Sequence, residues 1–277
     1  MKIDMTLNLE EIITNYDALI VDLWGVIHDG STLYPGVAET LALLHQLNKP
    51  VLFLSNAPRL ASKARENLDR LNIPRAHYLD IITSGQVAHD LLARDPAPKP
   101  YYYLGPSKDE GILDDLPHFS KVSEPQAAEF ILCTGYEVDF QPHDEIIPLL
   151  AQLLPLPMLC VNPDMEVVKQ DGTHWPCAGM VAAEYTRLGG RVAYIGKPFR
   201  EVYEVCKLIL GNSRVLCVGD NPATDIKGAN DAGFDCLLVV SDVLKSRYGP
   251  GIGEAEAREI CAAAGVKPTY VLAGFGL

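Results

Sequence analysis

The most constraining feature of the chain is a set of short apolar runs that stop abruptly at a polar residue. Ala18-Leu19-Ile20-Val21 stops at Asp22, and Pro50-Val51-Leu52-Phe53-Leu54 stops at Ser55-Asn56. Val192-Ala193-Tyr194-Ile195 runs into Gly196-Lys197-Pro198, and Val215-Leu216-Cys217-Val218 runs into Gly219-Asp220. Cys236-Leu237-Leu238-Val239-Val240 closes the series. Unbroken runs of this length suit strands covered on both faces, as in a parallel sheet. Helical patterns lie between them, at 37–47, 62–71, 199–210 and 224–232. The third ends at Gly211 and the fourth at Gly233, residues well suited to close a helix. Strands alternating with helices predict a doubly wound α/β domain.

The middle of the chain reads differently. Residues 86–190 are richer in proline and aromatic residues, including Tyr101-Tyr102-Tyr103. Strands are expected at 101–104, 130–134 and 158–161, and helices at 144–154 and 179–188. The expectation is a second, smaller α/β domain inserted into the first, which then comprises 1–85 and 191–277. The competing reading is one continuous large sheet.

In a parallel sheet the carboxyl ends of the strands share one edge, and ligands bind in the crevice there. Four of the runs would bring two carboxylates, a hydroxyl and an ammonium to that crevice. One such residue means little, because an acid just after a strand is also a common helix cap. Together they fit phosphoryl chemistry. Paired carboxylates hold Mg²⁺, serine and lysine take phosphate oxygens, and a free carboxylate can attack phosphorus.

Charge narrows the function further. With 23 Lys and Arg against 36 Asp and Glu, the formal charge is −13, which repels phosphate backbones and anionic lipids. Nucleic-acid and membrane partners are therefore not expected, whereas a small anion can still be held by local cations and a metal. No apolar run reaches the ~18 residues that span a bilayer. The start, MKIDMTLNLEE, lacks the apolar stretch of a secretory signal. Seven cysteines without a CxxC spacing read as reduced thiols of a cytoplasmic protein. Walker A, GxSxG and HExxH patterns are absent.

The motifs resemble those of the haloacid dehalogenase (HAD) superfamily. Asp22-Leu23-Trp24-Gly25-Val26 resembles motif I, usually DxDGV, and Leu54-Ser55-Asn56-Ala57 resembles motif II. Gly196-Lys197-Pro198 resembles motif III, and Gly219-Asp220-Asn221-Pro222-Ala223-Thr224-Asp225 resembles motif IV in its GDxxxTD form. Cys160-Val161-Asn162-Pro163-Asp164 resembles the NPD segment of the class IIA cap. The resemblance implies a HAD core with an inserted class IIA cap that removes phosphate from a small metabolite such as a sugar phosphate or nucleotide. Asp22 would be the nucleophile and a Mg²⁺ ligand. Asp220 and the backbone carbonyl of Trp24 would complete the metal site, with Asp225 behind its water shell. Ser55 and Asn56 would hold phosphoryl oxygens, and Lys197 would neutralise charge shared by phosphate and Asp22. Asn162 and Asp164 would contact substrate from the cap, and the caps would pair two copies of the chain. His174 and Trp175 are also placed to face substrate, although cap packing explains them more cheaply.

One position departs from the pattern. Where the family carries the aspartate that protonates the leaving alcohol, this chain carries Trp24. Indole does not titrate near neutral pH and only donates a hydrogen bond, and loss of acid–base help costs about 10²–10⁴-fold. Three readings follow: a slow phosphatase with His28 or Asp29 as substitute acid, a different reaction at phosphorus, or a catalytically silent protein that binds a phosphorylated ligand.

Overall fold

The structure, a computed structural model, describes residues 8–135 and 146–277. Its strands are β1 (Ala18–Val21), β2 (Val51–Ser55), β3 (Asp80–Thr83), β4 (Lys99–Leu104), β5 (Phe119–Val122), β6 (Phe130–Cys133) and β7 (Met158–Cys160). They continue with β8 (Glu166–Val168), β9 (His174–Pro176), β10 (Val192–Tyr194), β11 (Val215–Gly219), β12 (Asp235–Val239) and β13 (Tyr270–Leu272). Two separate parallel sheets form. One has the order β13-β12-β11-β1-β2-β3 and the other β10-β7-β6-β4-β5, with β8 and β9 a small antiparallel ribbon.

The first sheet follows from the apolar runs. Every residue of β1, β2 and β11 is buried. Alternate residues face opposite sides: Leu19, Val21, Val51 and Phe53 enter one apolar cluster, and Ile20, Leu52 and Leu54 another. The latter cluster continues into Tyr101 and Leu132 of the second sheet, so the two sheets share an apolar seam. The opposite face of the second sheet is covered by helices Ile146–Leu153 and Ala178–Arg187. The helix expected at 144–154 begins, among the described residues, at Ile146.

The run at 192–195 was expected at the same edge as the other three, and here the structure corrects the sequence. Strand β10 pairs in parallel with β7, Val192 against Met158, at the rim of the second sheet. Its side chains are only partly covered. A four-residue apolar run specifies a strand but not the sheet that takes it. Lys197 nonetheless reaches the common crevice, from the segment that leaves β10 rather than from the end of a first-sheet strand. The helix expected at 224–232 is a π-helical turn over Pro222–Ile226 followed by a helix over Lys227–Ala232. No helix among the described residues is long and apolar enough to cross a membrane, and all seven cysteines are free and buried.

Candidate active site

The three central strands of the first sheet put their carboxyl ends side by side. Val21 of β1 pairs with Val218 of β11, and the Asp22 N–H still donates to the Val218 carbonyl at 2.9 Å. Asp22 is thus fixed by the last rung of the ladder, next to Asp220. The Pro222–Ile226 turn then folds back and returns Asp225 to the same place. Two glycines make this crowding possible. A Cβ on Gly25, which has φ +83°, would lie 2.0 Å from the Asp220 carboxylate. A Cβ on Gly219 would lie 2.2 Å from Asp225.

Asp22, Asp220 and Asp225 are all buried, and each offers a carboxylate oxygen within 4.8 Å of the others. Lys197 Nζ lies 2.5 Å from Asp22 Oδ1 and 2.6 Å from Asp225 Oδ1. Burial works against the charged amine, but the carboxylates of Asp22, Asp225 and Asp164 outweigh it and hold Lys197 protonated. Burial pushes Asp22 well above the usual carboxylate range, against the pull of Lys197 and with help from Asp225 and Asp220. It pushes Asp220 up to about 7, aided by Asp225 and opposed by the Ser241 hydroxyl, which donates to Asp220 Oδ2 at 2.6 Å. Three buried carboxylates facing one ammonium leave an unbalanced negative charge in a dry site, which is costly. A hard divalent cation removes that cost, and an all-oxygen donor set suits Mg²⁺. The residues fit the ion.

A cavity of about 190 Å³ opens over this cluster. It is lined by Asp22, Trp24, Ser55, Asn56, Asp220 and Asp225 from the first sheet, and by Asn162, Asp164, His174 and Trp175 from the second unit. Lys197 lies beneath it rather than on its wall. Ser55 Oγ accepts the Ala57 N–H at 3.2 Å. Asn56 was expected to hold phosphate, but its side chain clasps the Lys197 backbone: Oδ1 accepts the Lys197 N–H at 2.7 Å and Nδ2 donates to the Lys197 carbonyl at 3.1 Å. Asn162 makes an ordinary turn, its Oδ1 accepting the Asp164 N–H at 3.1 Å. Asp164 is carried toward the core, where burial raises its carboxyl to about 6 against the pull of Lys197.

Trp24 turns its indole to the ribbon. Nε1–H donates to the Val168 carbonyl at 3.1 Å, and the ring lies 6.4 Å from that of Trp175, centroid to centroid. Two more bonds tie the ribbon to the first unit: Gln170 Nε2 to Thr32 Oγ1 at 3.1 Å and Arg247 to Glu166 at 2.8 Å. The proposed substitute acids do not line the cavity over Asp22. His28 accepts the Gly30 N–H on Nδ1 at 2.9 Å, and burial lowers it to about 4, so it is neutral at pH 7. Asp29 accepts the Ser31 and Thr32 N–H groups at 2.9 and 2.8 Å. Those bonds outweigh its burial and keep it ionised, which makes it a turn former and no acid. No motif pointed to Ser241 or to the ribbon, whose strands have only three residues each, whereas Thr224 of the GDxxxTD segment does lie on the cavity wall.

Such a fold, with carboxylates, a hydroxyl and a lysine meeting at the strand ends beneath a second α/β unit, defines a phosphoryl-transfer hydrolase of the HAD type. A haloacid dehalogenase-like hydrolase model matches residues 19–116, and a HAD-hydrolase-like model matches 194–275. A haloacid dehalogenase-like hydrolase structure from Brucella suis is 31% identical, covers 96% of this chain and 98% of its own, and has a TM-score of 0.80. The 5'-nucleotidase YutF of Bacillus subtilis is 24% identical over 236 residues, 84% of this chain and 90% of that protein. A glycerol phosphate phosphatase structure from Mycobacterium tuberculosis, in complex with magnesium, is 25% identical, covers 95% of this chain and 76% of its own, and has a TM-score of 0.70. The chain belongs to the haloacid dehalogenase superfamily, in its class IIA phosphatase branch.

Proposed function

We propose that this protein hydrolyses a small phosphate monoester through an aspartyl-phosphate on Asp22, with Mg²⁺ held by Asp22, Asp220 and the Trp24 carbonyl and with Asp225 behind. The observation that carries this reading is the buried cluster in which Lys197 Nζ lies 2.5 Å from Asp22 Oδ1 with two further carboxylates within 4.8 Å. A divalent ion there supplies positive charge that allows the carboxylates to ionise together and a phosphate to approach them. Residues 86–190 act as the cap, extended by β10 as its last strand, and 1–85 with the chain from 195 to 277 act as the core.

The steps follow from the chain's own groups. Lys197 pulls Asp22 toward its ionised form and offsets the charge of the arriving phosphate. Ser55, whose oxygen already accepts the Ala57 N–H, has its own proton free to donate to a phosphoryl oxygen. Asp22 Oδ attacks phosphorus, the bond to the leaving oxygen breaks, and that oxygen takes its proton from solvent. Water then attacks the same phosphorus, loses its proton to solvent, and frees the Asp22 carboxylate as inorganic phosphate departs. Trp24 gives no proton at either step, so esters of acidic alcohols turn over faster than alkyl esters.

The test is turnover of 4-nitrophenyl phosphate with and without Mg²⁺, in the wild type and in Asp22→Asn. Mg²⁺-dependent turnover that disappears in the variant supports the reading. If no ester is turned over while phosphorylated ligands still bind in a Mg²⁺-dependent way, the protein is a silent binder instead.

A further inference from the structure

A second cavity, about 210 Å³, adjoins the first and shares Trp24, Ser55, Arg59, Lys108 and Trp175 with it. Its lining contains Arg59, Lys63, Arg70, Lys108 and Lys169 and no carboxylate. That is the reverse of the chain as a whole, in which acids outnumber bases 36 to 23. Three of these cations have local partners. Lys63 pairs with Glu66 at 3.1 Å, Arg59 with Asp109 at 2.7 Å, and Arg70 donates to Asn67 at 3.1 Å.

Lys108 and Lys169 differ. Neither forms an ion pair among the described residues, and both ammonium groups lie over the Trp175 ring, at 4.6 and 4.1 Å from its centroid. The ring face attracts each of them, but two like charges on one ring repel, and the N–H donors of both stay available. The second unit supplies both lysines, while the Asp22 cluster lies across the shared wall. His28, on the same lining, is neutral and adds no competing charge.

Resting on the hydrolase reading above, we propose that this cavity is a second anion subsite: the substrate carries, at the far end of its leaving group, a carboxylate or a second phosphate that docks between Lys108 and Lys169. The Trp24–Trp175 wall lies beside the chain that joins the two anions.

The experiment measures binding and needs no turnover. Wild-type protein with Mg²⁺ is titrated calorimetrically with three non-hydrolysable phosphonates of matched length: 3-hydroxypropylphosphonate, 3-phosphonopropionate and 1,3-propanediyl bisphosphonate. An ammonium about 4 Å from an anion in a water-exposed site contributes roughly fivefold, so two give the anion-tailed probes about a tenfold or greater advantage near 0.1 M salt. That advantage shrinks near 1 M salt as screening shortens. In Lys108→Gln/Lys169→Gln the affinities of charged and neutral tails converge. Comparison of the carboxylate and the bisphosphonate tells which anion the subsite prefers. Equal affinities in the wild type, a preference that survives the double substitution, or no binding of either anion-tailed probe overturns the proposal. The Asp22→Asn turnover assay fails or succeeds independently of these affinities, so failure of the hydrolase reading is told apart from failure of the subsite.

Discussion

Trp24→Asp separates the two things that this position does. The substitution removes the indole N–H bond to the Val168 carbonyl and the ring contact with Trp175. A hydrogen bond contributes about 1 kcal/mol and an aromatic pair about 0.5–1.5 kcal/mol. Docking of the ribbon on the core therefore weakens by about 2 kcal/mol, or roughly 30-fold in the docked population. Every substrate bears that loss. The new carboxyl restores a proton donor, a gain of about 10²–10⁴-fold that only a poor leaving group feels. The assay is kcat/KM for an alkyl phosphate and for 4-nitrophenyl phosphate on one enzyme preparation. The aryl ester should slow by up to about 30-fold, while the alkyl-to-aryl ratio rises by about 10²–10⁴-fold. Trp24→Phe is the control: it keeps a ring over Gly30, loses the N–H, and should slow both esters alike with the ratio unchanged. A ratio that does not move in Trp24→Asp refutes the reasoning, because position 24 would then not face the leaving group.

Mg²⁺ at about 100-fold its dissociation constant should stabilise the fold by about 2.7 kcal/mol, a rise of about 5–10 °C in Tm. Asp220→Asn should abolish most of that rise in a thermal melt, and an unchanged rise would remove Asp220 from the metal site. Gly25→Ala places a methyl 2.0 Å from Asp220 Oδ2 at φ +83°, so the urea midpoint should drop by the equivalent of about 1–3 kcal/mol and the Mg²⁺ response should vanish. A fully Mg²⁺-responsive Gly25→Ala protein would contradict the packing. His28 has its folded pKa lowered to about 4 from an ordinary 6.5. Above pH 6.5 both folded and unfolded forms are neutral there, and between 6.5 and 4 only the unfolded chain takes the proton. Stability should therefore fall as pH drops through that window, by about 3 kcal/mol in all. Urea unfolding of wild type and His28→Gln at pH 7 and pH 4.5 reads this; parallel losses in the two proteins would exclude His28 as the cause.

The sequence specified the first sheet because its central strands are buried on both faces and carry no polar interruption before the site residue. β3 and β13 escaped notice since Ile81-Ile82 and Tyr270-Val271-Leu272 are too short to separate from loop. Asp22, Ser55, Asp220 and Asp225 were readable as a group because one edge of one sheet collects them, and Lys197 was readable by its motif although its strand belongs elsewhere. The two jobs of Asn56 and Trp24 were not readable. Each depends on a backbone carbonyl, at Lys197 and at Val168, that carries no trace in the residue types. Lys108 and Lys169 were equally hidden, because nothing in the residue types shows that two lysines distant in the chain lie over one tryptophan ring.

Asn56 grips the peptide groups on both sides of Lys197, and Gly196 just before it runs so close that a Cβ would lie 2.6 Å from Asn56 Oδ1. The link out of the second sheet is thus bolted to the first immediately before the amine. Those two bonds anchor the ammonium to the first sheet rather than to the second, so a displacement of the second unit that spares them would leave Lys197 between Asp22 and Asp225.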